Sequence, residues 1–110
     1  MKTRLLLAIF TFLMALPLQA QTADSLYLRQ HYDLKEHRIP MRDGAELFTA
    51  IYTPKDTSKK YPILLNRTCY NASNYSDYNY AGYPSPFLVK DGYILAFQDV
   101  RGRYMSDGEF

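Results

Sequence analysis

Tyr70 closes the stretch Tyr61-Pro62-Ile63-Leu64-Leu65-Asn66-Arg67-Thr68-Cys69-Tyr70, and its phenol is a group that can donate one hydrogen bond. Ile63, Leu64 and Leu65 form a short apolar run, opened by Pro62 and closed by polar residues. A run this short, apolar on both faces, suits a strand covered on both sides, as in a parallel sheet. Polar groups just past such a strand lie at its carboxyl end, where open α/β sheets place their ligand sites. By position alone Tyr70 reads equally well as a tyrosine packed at a loop, so the rest of the chain has to decide.

Few other side chains are arranged for chemistry. Cys69 is the only cysteine and cannot form an internal disulfide within this chain. It reads as a buried free thiol or as a partner for a cysteine elsewhere. A catalytic thiol needs a histidine beside it. His31 and His37 are the only histidines, and they read as solvated polar residues, too sparse for a zinc site. Neither a metal nor a cofactor is expected. The formal net charge is +2, with acidic and basic residues interspersed, which argues against nucleic acid and against an anionic membrane surface as partners.

The elements that must position Tyr70 are legible in order. Residues 34–53 read as an antiparallel hairpin at a sheet edge, alternating on both sides of the turn Met41-Arg42-Asp43-Gly44. Pro54 to Lys60 is a charged loop into the strand at Ile63. The stretch Asn71 to Pro84 is a long irregular loop rich in Asn, Ser, Tyr and Gly, plausible as the rim of a site. Ser85 and Pro86 can start a helix and Gly92 can stop it. Tyr93 to Val100 is a second buried strand, followed by the loop Arg101 to Glu109. Strand, helix and strand make a βαβ unit. A hairpin followed by βαβ is how an α/β-hydrolase sheet begins, and there the loop after the third strand supplies part of the oxyanion hole. Tyr70 falls in that loop. The fold class is therefore α/β, the start of an α/β-hydrolase fold.

The first twenty positions have a different character. Lys2 and Arg4 precede the apolar run Leu5 to Leu16, and Leu18 and Ala20 stand at the −3 and −1 positions of a cleavage site. This is the layout of a secretory signal peptide cut after Ala20. The run is shorter than the ~20 residues a membrane span needs. The organisation expected is a signal peptide at 1–20, a lead-in at 21–33 and the hydrolase-like part at 34–110. The product is exported, periplasmic or extracellular, and free of the membrane once the signal is removed. Residues 103–110 are polar and turn-like, so the chain is expected to be truncated, the opening part of a larger domain.

The motifs Met41-Arg42-Asp43-Gly44-Ala45-Glu46-Leu47, Leu65-Asn66-Arg67-Thr68-Cys69-Tyr70, Asp91-Gly92-Tyr93 and Gln98-Asp99-Val100-Arg101-Gly102-Arg103-Tyr104, with Ser106-Asp107-Gly108-Glu109-Phe110, resemble the cocaine esterase and X-Pro dipeptidyl-peptidase-like hydrolases. Glutaryl-cephalosporin acylases and α-amino acid ester hydrolases belong to the same group. The resemblance covers most of residues 34–110. It implies a serine hydrolase with a Ser, His and Asp triad. The family's nucleophile sits in a Gly-x-Ser-x-Gly elbow, which this chain does not contain, so by family pattern the triad lies beyond Phe110. One functional residue carries over: Tyr70, at the end of the family's Arg-Thr-Pro-Tyr type motif, whose hydroxyl joins the oxyanion hole. Cys69 stands where the family more usually has Pro. The resemblance makes Asp99 and Arg101 structural residues near the site, a salt bridge or a loop brace.

The leading expectation is an exported serine hydrolase acting on ester or amide bonds of a small-molecule or peptide substrate, with this chain inactive by itself. The alternative is an exported non-enzymatic binding module whose aromatic loop, Tyr75 to Tyr83, contacts a glycan or peptide.

Overall fold

A computed structural model describes Met1 and residues 23–76, 78 and 86–110. The signal peptide expected at 1–20, the helix cap at Ser85 and the loop tyrosines Tyr80 and Tyr83 lie outside the described residues. Helix α1 covers residues 23–31. It is followed by strands β1 (Tyr32–Pro40), β2 (Glu46–Pro54) and β3 (Ile63–Thr68), helix α2 (Pro86–Asp91) and strand β4 (Ile94–Asp99). A 3-10 turn, Ala72–Tyr75, interrupts the loop after β3. Among the described residues no helix is long and apolar enough to cross a membrane.

The sheet order is β1-β2-β4-β3. β1 and β2 pair antiparallel across the Met41–Ala45 turn, where Gly44 N–H donates to Met41 O at 3.0 Å. The hairpin starts at Tyr32, two positions before Leu34, because the strand follows directly on α1. β4 inserts beside β2, antiparallel, and β3 pairs with the other side of β4 in parallel. A parallel pair needs a crossover connection, and α2 lies within it.

One face of the sheet carries the core. Phe48, Ala50 and Tyr52 of β2 and Leu95 and Phe97 of β4 alternate onto it and are buried with Leu28 of α1, Tyr32, Ala72 and Val89 of α2. Full burial of each large side chain contributes roughly 1.5–3 kcal/mol. The tyrosines of the loop after β3 join this face. Tyr75 stacks on Phe97 with ring centroids 4.5 Å apart, and Tyr52 meets Tyr78 edge-on at 5.4 Å. Tyr52 donates its hydroxyl hydrogen to Tyr75 O, and the Tyr78 hydroxyl accepts the Leu34 N–H at 3.0 Å. Buried phenols find partners in this way, and here the partners are backbone groups of neighbouring elements.

β3 departs from the expectation of a strand covered on both faces. Leu64 packs against the core, whereas Ile63 and Leu65 are 67% and 49% exposed. β3 is the edge of this sheet, and nothing among the described residues covers those two side chains. The strand covered more fully is β4, where five of six residues are buried, because it is flanked by β2 and β3.

Tyr32 ties the hairpin to the crossover. Its ring is buried and its hydroxyl donates to Val89 O at 2.6 Å. Burial holds its phenol at about 12, with the nearby Tyr27 and Tyr61 hydroxyls adding to the shift. A raised phenol favours the fold only while neutral, so its contribution is complete below the unfolded value of about 10 and is lost as pH rises through about 12. The expected outcome is a thermal midpoint that falls between about pH 10 and about pH 12, and a smaller fall in Tyr32→Phe. At neutral pH Tyr32→Phe should cost only about 1 kcal/mol, one hydrogen bond, as read by denaturant unfolding.

Candidate active site

The carboxyl ends of the parallel pair β3 and β4 lie side by side, so the loops that leave them meet. Val100 N–H donates to Thr68 O at 3.0 Å and extends the parallel ladder one step past the strands. Tyr70 follows at once. Its N–H donates to the Thr68 hydroxyl at 2.9 Å. Its side chain is 78% exposed, and its hydroxyl makes no hydrogen bond among the described residues. The next residue, Asn71, has φ of 76°, in the left-handed region that non-glycine residues visit rarely, and among them Asn most easily. The Asn71 side chain accepts from Ser73 N at 3.2 Å and Ser73 Oγ at 2.6 Å, which starts the 3-10 turn.

Asp99 ends β4 and is fully buried. Among the described residues it forms no ion pair with Arg101 or any other cation. Its carboxylate accepts two backbone N–H groups instead, Ala72 at 2.6 Å and Met105 at 3.3 Å. Arg101 faces the other way. Its guanidinium grips Asp43, in the hairpin turn, through two hydrogen bonds of 2.7 and 3.2 Å. Chiefly that contact holds the Asp43 carboxyl below the usual carboxylate range. The two residues that the family resemblance groups together therefore act separately, one on the loops and one on the hairpin.

The loop 100–110 is fastened at further points. Ser106 is buried, donates to Asp99 O at 2.8 Å and accepts Phe48 N–H at 2.9 Å. With both bonds made to backbone, this serine is a strut between β2 and β4. Asp107 N–H donates to Glu46 O at 2.9 Å. Arg38 of β1 binds Glu46 at 3.0 Å, Asp107 at 2.8 Å and the carbonyl of Met105 at 2.8 Å. On the opposite sheet face a polar row crosses three strands: Arg67 donates to Gln98, and Gln98 donates to Thr49, both at 2.9 Å.

Sequence reasoning missed Arg38, Asp43, Ser106 and Asp107 as individual contributors. Each has a partner 58 to 69 positions away, and no local pattern reports such pairs. For Asp43, Ser106 and Asp107 the only available signal was their place inside the quoted motifs; Arg38 lies outside them. Cys69 is half-buried and free, and neither histidine bonds to it; His31 instead stacks on Tyr27 with centroids 4.1 Å apart. Among the described residues no group of His, Cys, Asp and Glu is placed to hold a metal ion. Tyr75 and Tyr78, two of the tyrosines in the aromatic loop considered as a binding surface, are partly buried and pack against the core.

An antiparallel hairpin continued by a parallel β-α-β pair, with polar loops gathered at the carboxyl ends, is the opening of an α/β-hydrolase sheet. Comparison with known proteins narrows this class. The family model described as X-Pro dipeptidyl-peptidase (S15 family) matches residues 43–110. The chain is 36% identical over 72 residues to cocaine esterase of Rhodococcus sp. (strain MB1 Bresler), covering 66% of this chain and 12% of the esterase. Among solved structures, an α-amino acid ester hydrolase superposes with a TM-score of 0.59 at 40% identity, and an aminopeptidase from the marine sediment archaeon Thaumarchaeota archaeon with 0.62 at 37%. Each match covers 73% of this chain and 14% of the other. The chain belongs to the X-Pro dipeptidyl-peptidase S15 family, and it spans between 12% and 14% of the length of these relatives.

Gly102, in the family-matched segment, shows why the motif after β4 is restrictive. Its φ is +71°, and a Cβ there would lie 2.6 Å from the carbonyl carbon of Glu109 and against the backbone nitrogen of Phe110. Gly44 has a similar φ of +87° but open space around it. The left-handed backbone alone costs a non-glycine residue about 1–3 kcal/mol. Gly44→Ala should lose only that. Gly102→Ala should lose clearly more, because the 109–110 backbone must also move. Urea unfolding of the two variants gives the comparison; equal losses mean that the close approach is relieved without cost.

Proposed function

We propose that this chain is the N-terminal part of an exported serine hydrolase that cleaves ester or amide bonds of a small-molecule or peptide substrate. The observation that carries this is the placement of Tyr70. Its exposed hydroxyl, unbonded among the described residues, stands past the carboxyl end of a parallel strand, within the segment matched by the family model. Membership of a family whose relatives are named as an esterase, an ester hydrolase and an aminopeptidase supports the acyl chemistry. The share of those relatives that the chain spans supports a triad carried by sequence beyond Phe110. On this reading the 110 residues alone hold no nucleophile and turn over nothing.

The reaction follows from the roles. A serine attacks the carbonyl carbon while a histidine takes its proton and later passes it to the leaving group. An aspartate holds that histidine in the productive orientation. The carbonyl oxygen becomes an oxyanion, and Tyr70 Oη–H with one backbone N–H donates to it. Such donors accelerate the reaction because the charge they meet is larger in the transition state than in the substrate.

Tyr70→Phe in the full-length protein removes one donor and keeps the ring. The expected loss is about 10²–10³ in kcat, with a much smaller change in KM. Steady-state kinetics on a chromogenic ester measure both. A kcat within about threefold of the parent means that the ring only packs and Tyr70 is not a donor to the oxyanion.

Export follows from the N-terminal pattern of Lys2, Arg4, the apolar run to Leu16 and Ala20. Edman sequencing of the secreted product should begin at Gln21 or within a few residues of it. An uncleaved chain retained in the membrane fraction counts against export.

A further inference from the structure

We propose that Asp99 is the positioning residue for the Tyr70 hydroxyl, acting through the backbone amide of Ala72. The proposal rests on the reading of Tyr70 as a donor to the oxyanion. Since Tyr70 is 78% exposed and its hydroxyl is unbonded among the described residues, the backbone that carries it sets which positions the hydroxyl can reach.

That backbone is held at both ends. On the incoming side, Thr68 O accepts from Val100 N and the Thr68 hydroxyl accepts from Tyr70 N. On the outgoing side the Asn71–Ser73 bonds shape the turn, and the tie from that turn to β4 is Ala72 N–H to Asp99 Oδ1 at 2.6 Å. Between them Asn71 sits at φ 76°. Asn visits this region more easily than other non-glycine residues, but the conformation persists best where its surroundings hold it. Release of the Ala72 amide lets Asn71 relax, and the Tyr70 side chain swings with it.

The chemistry of Asp99 fits a hold of this kind. A fully buried carboxylate with no cation beside it is costly unless N–H donors replace its water. Asp99 takes two such donors from two different loops, Ala72 at 2.6 Å and Met105 at 3.3 Å. Hydrogen bonds to an ionised acceptor are about twice as strong as neutral ones. An asparagine has nearly the same shape but only one carbonyl oxygen. Its amide NH2 would face one of the two backbone N–H groups, donor against donor. Asp99→Asn thus tests the hold without emptying the space.

The experiment is a double-mutant cycle in the full-length protein on one chromogenic ester, with Tyr70→Phe, Asp99→Asn and both together. Misplacement of a catalytic group by about 1 Å can cost about 10²-fold in rate. Asp99→Asn should lower kcat by about 10- to 100-fold with KM within about threefold. Added to Tyr70→Phe, it should lower kcat by less than about threefold more, since there is no hydroxyl left to place. A brace that serves stability alone would lower the thermal midpoint and leave kcat of the folded enzyme unchanged. If Tyr70→Phe loses activity while Asp99→Asn keeps it, or the two losses multiply, positioning by Asp99 is overturned and the role of Tyr70 stands. If Tyr70→Phe keeps its kcat, both readings fall. Should Asp99→Asn not be recovered folded, an ester in place of the Ala72 amide deletes only the N–H that Asp99 accepts. A kcat loss that vanishes in the Tyr70→Phe background then supports the proposal, and an unchanged kcat overturns it.

Discussion

At the carboxyl end of β4 a carboxylate with no exposed surface has to be satisfied by the protein, and the way Asp99 is satisfied arranges this end of the sheet. With no cation in reach among the described residues, it draws in backbone N–H groups. One comes from the loop after β3 and the other from the loop after β4. Two loops that leave neighbouring parallel strands are thereby held to one point. The backbone carbonyl of the same residue accepts the Ser106 hydroxyl, so the second loop is fastened to β4 twice.

The second loop is also tied outward to the hairpin. Arg101 reaches the turn at Asp43, Arg38 reaches Asp107 and the Met105 carbonyl, and Ser106 accepts from Phe48. The ion pairs are solvent-exposed, and pairs of that kind contribute little to stability individually. Their effect is geometric: they fix where the loop lies, while the buried Ser106 and Asp99 contacts resist its departure. The family-matched segment begins at Asp43, so the matched residues include the hairpin turn that receives Arg101.

Among the described residues, burial separates the tyrosines of the core from Tyr70. Tyr32, Tyr52 and Tyr78 place their rings against the core and spend their hydroxyls on backbone groups of neighbouring elements. Tyr70 does neither. Its position past the strand end leaves the residue 78% exposed and its hydroxyl unbonded among the described residues. Among 11 tyrosines in the full sequence, composition draws no such distinction.

The sequence by itself determined the elements. The alternation around Asp43-Gly44 specified the hairpin, the apolar stretches at Ile63 and Ile94 specified two strands, and Gly92 marked the end of the helix between them, because side-chain period and turn chemistry are local properties. The motifs around Tyr70 and Asp99 were enough to recognise the family. Only the tertiary structure decided that β4 lies inside the sheet and β3 at its edge, since strand order depends on contacts between residues far apart in the chain. Ile63, Leu64 and Leu65 look alike in sequence, yet Leu64 alone of the three packs on the core. Likewise Asp99 and Arg101, two positions apart, invite pairing with each other. The fold points one into the protein, toward backbone amides, and the other across to Asp43, because β4 ends at Asp99 and the chain turns after it, so the shared face of residues two apart in a strand no longer holds.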